Sequence, residues 1–171
     1  MAVLLGQQEV DARVEFRSFG FQESDDSAVP VPFPDDFGWG VFLQGHVRRF
    51  DVFSACHTHT AAVKARVWDG APDAEEGKWD EEGEIDFESV SGDVAVWGSG
   101  RSEDLIRLGR GGMWRVRVRC AGRAEVERVT RDEGTAYRVE RYVIDFWPKV
   151  GEQGGAGAHF YARPVFRLIR R

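Results

Sequence analysis

The chain has 171 residues and a formal net charge of −6 at pH 7, and 42% of its residues are hydrophobic and 30% charged. This balance excludes a disordered or fibrous chain, and one domain of this length buries roughly 70% of the surface of its unfolded chain. We therefore expect a single domain over residues 1–171 that folds without a metal or a disulfide. Two cysteines, no long apolar run and no basic leader predict a reduced, cytoplasmic protein without a signal peptide or a membrane span.

Apolar and polar residues alternate along most of the chain, and no segment has the period of an amphipathic helix. Residues 11–19 predict a first strand, and residues 20–38, with three prolines and five acids, predict an irregular loop. Strands are predicted next over residues 38–55, bulged or broken near Gly45, and over residues 61–70, which end in an Asp-Gly turn. In the second half, strands are predicted over residues 83–90, 93–99, 104–109, 113–122, 135–148 and 159–169, with a glycine-rich connection at residues 151–158.

Eight or nine short strands separated by glycine turns are typical of an all-β protein. The strands recur at intervals of about 10 to 15 residues, which indicates a β-sandwich or a jelly roll. We therefore predict a single-domain antiparallel β-sandwich of the jelly-roll kind.

The segment ACHTHTAA at residues 55–62 raises the question of a metal site. His57 and His59 would share one face of a strand, as ligands of zinc, iron or manganese do. A cupin-like jelly roll pairs such a motif with a nearby glutamate, but the six residues after His59 contain none. Because the flanking strand patterns leave five residues between them, we predict a solvent-facing hairpin turn. The alternatives are a metal site, which His46 or His159 could complete, and histidines that contact a partner.

Catalytic motifs give no stronger signal. The sequence has no nucleophile elbow, no phosphate-binding glycine loop, no zinc-type cysteine spacing and no dinucleotide fingerprint. Cys56 and His57 are neighbours, and neighbouring side chains in a strand point to opposite faces. Cys120 alternates with Trp114 and Val118 and is predicted to lie in the core. We therefore assign no catalytic residue, no metal ligand and no cofactor.

Charge is divided unevenly along the chain. Residues 1–93 carry a balance of −13 and residues 94–171 a balance of +7, and residues 72–93 hold ten carboxylates against one lysine. An acidic cluster attracts basic partners and repels nucleic acid. The alternative is a loop and an edge strand that are simply well solvated. A calcium loop is disfavoured because the run DEEGE lacks the alternating ligand spacing of an EF-hand.

A second charged face is predicted on the strand MWRVRVRC. Arg115, Arg117 and Arg119 alternate with apolar residues and should lie side by side on one face. Such a patch could bind phosphate or nucleic acid, or it could pair with the acids of the first half. We favour the pairing, because the sequence shows no exposed aromatic platform of the kind that single-strand binders use.

The order of these segments resembles a known family. GHVRRFDVF, AAVKARVW, IDFESV, DVAVWGS, LIRLGRGGMWRVRVRC and ERYVIDFWP follow one another over residues 40–148, as in small bacterial β-sandwich proteins of the competence protein J type. Members of that family are inhibitors or regulators of a DNA-entry nuclease. The resemblance implies a sandwich that acts by protein contact, and it brings no catalytic residues.

Together these patterns predict a non-enzymatic protein-binding module. It would be an inhibitor, an immunity protein or a related regulator, with a basic partner such as a nuclease or a toxin. The acidic segment would imitate the charge of DNA, with two aromatic anchors. The residues predicted to bind the partner are Glu75, Glu76, Trp79, Asp80, Glu81, Glu82, Glu84, Asp86 and Phe87. The alternatives are a cupin-like metal-dependent enzyme that uses His57 and His59, and a sandwich that binds a small ligand.

Overall fold

The fold is a sandwich of two five-stranded β-sheets, described by a computed structural model over residues 1–30, 40–75 and 77–150. One α-helix, α1, and one short 3-10 helix (Asp26–Ala28) are present in these segments. The elements are β1 (Leu4–Val14), β2 (Ser18–Glu23), β3 (Leu43–His46), β4 (Arg49–Phe53), β5 (His59–Trp68), β6 (Glu81–Ser89), β7 (Asp93–Trp97), β8 (Arg101–Arg107), β9 (Gly112–Ala121), α1 (Arg123–Glu133) and β10 (Tyr137–Pro148). The all-β prediction is confirmed.

The two sheets have different strand orders. The first sheet runs β1-β5-β10-β9-β6 and the second runs β3-β4-β2-β7-β8. The paired strands are antiparallel except β5 and β10, which are parallel. A parallel pair needs a long connection, and here the chain between β5 and β10 forms four strands and α1.

The core between the sheets is largely aromatic. Phe21 stacks on Phe50, and Phe50 meets Phe87 edge-on with 5.4 Å between ring centroids. These three side chains are at most 1% exposed, and burying a phenylalanine stabilises the fold by about 1.5–3 kcal/mol. The alternating strands predicted over residues 61–70 and 113–122 each supply one apolar face to this core.

The first half of the chain differs from the sequence prediction. β1 begins at Leu4, and residues 11–19 are not one strand, because the chain turns between Val14 and Ser18. β2 begins in the segment predicted as the first strand and ends in the segment predicted as an irregular loop, where Gln22 and Glu23 are buried polar residues. Because both polar residues occupy buried positions where apolar residues are expected, the sequence of β2 does not show the alternation that predicts a strand. The predicted strand at residues 38–55 is two strands, β3 and β4.

Helix α1 was not predicted. Val126 is its one fully buried side chain, so the sequence lacks an apolar stripe. The predicted connection at residues 151–158 and strand at residues 159–169 lie outside the described residues. No helix in the described segments has the length and apolar character needed to cross a membrane.

Candidate functional site

The two histidines of the H-x-H motif are separated by the fold. Residues 54–58 connect β4 of the second sheet to β5 of the first, so they cross between sheets and do not close a hairpin. His57 is exposed, as predicted for a solvent-facing turn, and its Nδ1 lies 2.8 Å from the Thr58 hydroxyl. His59 begins β5 and is only 2% exposed, so the prediction that it faces solvent is wrong.

His59 belongs to a buried polar network that the sequence did not reveal. Its Nε2 lies 2.8 Å from the Ser54 hydroxyl and 3.1 Å from Oε2 of Glu140. Ser54 donates to the same carboxylate oxygen at 2.5 Å, and the Ala55 amide donates to Oε1 at 3.2 Å. Since the ring nitrogen faces a carboxylate, we assign the proton to Nε2. Arg123 adds a longer contact of 3.5 Å from Nη1 to Oε1.

The charge state of this network follows from its donors. Burial opposes ionisation of Glu140, but the hydrogen bonds from His59, Ser54 and the Ala55 amide outweigh it and hold the pKa of that carboxyl below its usual range. Burial raises the pKa of the neighbouring Cys120 thiol, and the negative charge of Glu140 raises it further. Glu140 is therefore a buried anion and Cys120 a neutral thiol.

The network has the residue types of a hydrolase but not the arrangement. In a Ser-His-Asp triad the serine and the acid bind opposite ring nitrogens. Here Ser54 and Glu140 both contact Nε2 of His59, whose Nδ1 is buried without a hydrogen-bond partner in the part of the chain that the structure describes. The side chains of His59 and Glu140 are both 0% exposed, so no substrate reaches them in this structure. Among residues 1–30, 40–75 and 77–150, no group of three His, Cys, Asp or Glu side chains has metal-binding geometry.

An exposed aromatic pair, Phe16 and His57, lies in two turns of the chain near this network. Phe16 is 67% exposed, and its ring meets His57 edge-on with 5.1 Å between centroids. Phe16 and Arg17 both have positive φ, 51° and 65°, which is strained for residues other than glycine. Arg17 secures the turn, since its guanidinium donates to the Ala55 carbonyl at 2.8 Å and its amide donates to the His57 carbonyl at 3.0 Å.

The arginine face of β9 pairs with acids of the first half, as we favoured. Arg115 binds Glu84 and Asp86, each at 3.1 Å. Arg117 binds Glu84 at 2.7 Å and lies 3.7 Å from Glu82. β6 therefore carries its carboxylates beside a row of guanidinium groups, and much of their charge is neutralised within the sheet. Half-exposed pairs of this kind contribute about 0–1 kcal/mol each.

The loop between β5 and β6 covers the buried end of the same face. Glu75 accepts hydrogen bonds from Arg66 at 2.8 Å and from Arg119 at 3.3 Å. The Arg119 guanidinium also lies over the ring of Trp79, 4.9 Å from its centroid, in a cation–π contact. Glu76 lies outside the described residues.

A single buried carboxylate, Asp145, connects these arginines. It accepts from Arg66 Nε at 2.7 Å, from Trp68 Nε1 at 2.8 Å and from Arg119 Nη2 at 2.6 Å. Burial opposes its ionisation, but these donors and the two positive charges outweigh burial and hold its pKa below the usual range. The group fixes three strands of the first sheet, because its members lie on β5, β9 and β10.

Two residues of the predicted partner surface have structural roles. Phe87 is 1% exposed and packs on Phe50, so its assignment as an exposed anchor is wrong. The reason is the alternation of β6, in which Ile85 and Phe87 face the core and the carboxylates face outward. Asp80 is exposed, but its Oδ2 accepts from the amides of Gly122 at 2.8 Å and Arg123 at 3.0 Å. It thereby supplies the hydrogen bonds that the first turn of α1 lacks.

Replacement of Asp80 by alanine should therefore lower the free energy of unfolding by about 1 kcal/mol, the usual effect of losing a helix cap. The left-handed Gly122 at the helix start has no side chain to substitute for it. Denaturant unfolding measures the change. Asp73→Ala is the matched control, because Asp73 is exposed and makes no hydrogen bond to a described residue. Equal stability of the two variants would contradict the capping role.

Comparison with known proteins shows the fold. Neither a protein-family model nor a curated protein sequence matches the chain. Among solved structures, the chain is similar to ComJ from Bacillus subtilis, described as an inhibitor of the DNA-degrading activity of NucA, with a TM-score of 0.61 and 12% identity over 87% of this chain and 99% of that one. It is also similar to the protein described as crocagin biosynthetic gene J, with a TM-score of 0.54 and 12% identity over 85% of this chain and 99% of that one. The predicted resemblance to the competence protein J type is thus confirmed for the fold.

Proposed function

We propose that this chain is a non-enzymatic protein-binding module of the inhibitor or immunity-protein kind, and that its partner is a basic protein such as a nuclease. The observation that carries the proposal is the likeness of its fold, over 87% of the chain, to an inhibitor of a DNA-degrading activity. The free cysteines Cys56 and Cys120 fit the reducing cytoplasm in which we propose that it acts.

The pairing of acids on β6 supports a narrower contact surface than the sequence suggested. Glu84 and Asp86 are committed to arginines of β9, so a partner would have to break those pairs to bind them. Glu81 is exposed without an ion pair to a described residue, and Glu82 is 52% exposed and 3.7 Å from its nearest arginine. These two carboxylates begin the edge strand of the first sheet.

Trp79 and Glu75 would complete this surface next to them. The Trp79 ring is held by Arg119, and Glu75 is held by two guanidinium groups while its side chain stays 48% exposed. A side chain that is fixed before binding loses less conformational entropy when the complex forms. Tryptophan is also enriched among the residues that dominate binding energy.

The test is a pair of charge reversals that alter net charge equally. Glu81→Lys with Glu82→Lys places two cations on the proposed surface, whereas Glu127→Lys with Glu133→Lys places them on exposed positions of α1. Each pair changes the net charge from −6 to −2, since each substitution adds two units. The nuclease is obtained by affinity capture from a lysate of the native organism, and its DNA-degrading activity is titrated with each variant.

We expect the unsubstituted chain to inhibit DNA degradation and the helix variant to inhibit it equally. The β6 variant should lose roughly tenfold or more in inhibitory potency, because two contacts with a basic surface become repulsive. Inhibition that persists unchanged in the β6 variant would remove the acidic surface from the proposal. Failure of the unsubstituted chain to inhibit any captured nuclease would refute the proposal itself.

A further inference from the structure

A cleft of about 370 Å³ opens at the end of the sandwich where β5 finishes. Leu5, Val67, Leu108 and Trp114 give it apolar walls. The cleft lies at the other end of β9 from the proposed partner surface, because Trp114 starts that strand while Glu81 pairs with Cys120 near its end. It is therefore a separate feature from the acidic segment.

The cleft exists because the first sheet is incompletely filled at this end. Gly6 pairs with Val67 and follows the same alternation as the buried Val10 and Ala12, but Gly6 is itself exposed, so the cleft is open beside it. A Cβ added at Gly6 would have no atom within 4 Å. The register also shifts between Leu4 and Gly6, and an extra residue at such a bulge changes the direction of the side chains around it.

The charged groups that line the cleft are few, and they are positive. Arg107 and Arg110 both line the cleft. Arg107 is 69% exposed and lies 3.5 Å from Asp93, its one carboxylate partner in the described segments, whereas Arg110 has none there. The Arg110 guanidinium lies 5.3 Å from the centroid of the Trp114 ring. Trp114 is 1% exposed, and its indole nitrogen is buried without an acceptor among the described residues.

Two guanidinium groups at an apolar cleft would favour a ligand that carries a negative charge. The volume falls within the range of small-molecule sites, about 300–1,000 Å³.

We propose that this cleft binds a small amphiphilic anion, an apolar body with a carboxylate. The apolar body fills the space beside Gly6, against Val67 and Leu108. The carboxylate accepts hydrogen bonds from Arg110, and Arg107 adds a second positive charge. A medium-chain fatty acid and an aromatic carboxylic acid share this chemistry.

The experiment is isothermal titration calorimetry of the full chain with octanoate and with 1-octanol, which has the same chain length but no charge. We expect octanoate to bind at least tenfold more tightly than octanol. Arg110→Gln should weaken octanoate binding by roughly tenfold, which corresponds to one charge-assisted hydrogen bond. The control Arg131→Gln removes an exposed arginine from α1 and should leave the affinity unchanged.

Gly6→Leu is the steric test, since its side chain would occupy the cleft. We expect it to abolish octanoate binding while the thermal unfolding midpoint stays close to that of the unsubstituted chain, because a Cβ at the exposed Gly6 would meet no atom within 4 Å. Benzoate in place of octanoate distinguishes an aromatic from an aliphatic body. Octanoate binding that survives Gly6→Leu, equal affinities in the two arginine variants, or no binding by the unsubstituted chain would each overturn the proposal.

Discussion

Asp145→Ala is expected to lower the free energy of unfolding by about 3–5 kcal/mol, the usual effect of removing one partner from a buried ion group. The Asp145 side chain is 0% exposed and accepts hydrogen bonds from Arg66, Trp68 and Arg119. Without it, Arg119 keeps its charge at 2% exposure and, among the described residues, retains only Glu75 at 3.3 Å as an acidic partner. The free energy lost is mainly that of leaving a buried cation unpaired.

The measurement is equilibrium unfolding in denaturant at pH 7. The midpoints are compared, provided that the slope of the free energy of unfolding against denaturant concentration is unchanged. Glu125→Ala is the matched control, because it removes an acid from an ion pair whose two side chains are both 53% exposed. Solvent screens such pairs, so we expect no measurable change in the midpoint. Equal losses of stability in the two variants would show that the buried Asp145 stabilises the fold no more than an exposed acid does.

The same Asp145 substitution reports on the proposed contact surface. Glu75 and Trp79 are both held through Arg119, and Arg119 is held by Asp145 at 2.6 Å. Loss of Asp145 should therefore loosen the loop between β5 and β6 even under conditions where the chain remains folded. Hydrogen exchange of the loop amides would detect this change as local opening.

The sequence predicted the elements whose alternation is intact. β5 has the burial pattern of strict alternation along its ten residues, and the segment MWRVRVRC of β9 places its arginines on the outer face as expected. Binary patterning sets the face of each residue in a strand, so these strands and the pairing of the arginines followed from sequence. The sandwich was predicted from the repeated strand pattern, the resemblance to the competence protein J type implied the same architecture, and the fold comparison agrees with it.

The missed elements are those in which polar residues are buried or apolar ones are few. β2 ends in the buried Gln22 and Glu23, and Glu23 accepts hydrogen bonds from the amide of Asp25 and the hydroxyl of Ser89. A sequence pattern cannot distinguish such a carboxylate from a solvated one, because all its partners except Asp25 lie more than 60 residues away along the chain. α1 was missed because it has a single fully buried residue, so the sequence shows no apolar stripe of helical period.

The acidic segment shows how tertiary contacts change the meaning of a charge pattern. Its carboxylates were predicted to imitate the charge of DNA, but those on β6 alternate outward against the arginines of the next strand. Acids of the first half of the chain and arginines of the second half therefore neutralise much of each other's charge within the first sheet. The exposed acids Glu81 and Glu82 remain the better candidates for a partner, because their charge is least compensated.

Glu140 should make stability fall on acidification. Its pKa is held below the ordinary value of 4.5 in the folded chain, so around and below that pH the unfolded chain binds more protons than the folded one. Stability therefore rises with pH across this window, is fully present above it, and is lost as pH falls through the folded pKa. Asp145, Glu23 and Asp86 also have lowered pKa values and act in the same direction.

Glu140→Gln separates the contribution of this one residue. The amide keeps the shape of the side chain. Its NH₂ group is a donor, however, whereas the carboxylate oxygens of Glu140 accept hydrogen bonds, among them those from Ser54 and the Ala55 amide. We expect a loss of about 3 kcal/mol at pH 7 and a shallower dependence of stability on pH between about 5 and 3, since one shifted carboxyl no longer titrates. Urea unfolding at a series of pH values measures both. Glu127→Gln, at an exposed position of α1, should change neither, and a pH profile of the Glu140 variant that runs parallel to that of the unsubstituted chain would contradict a buried anion beside His59.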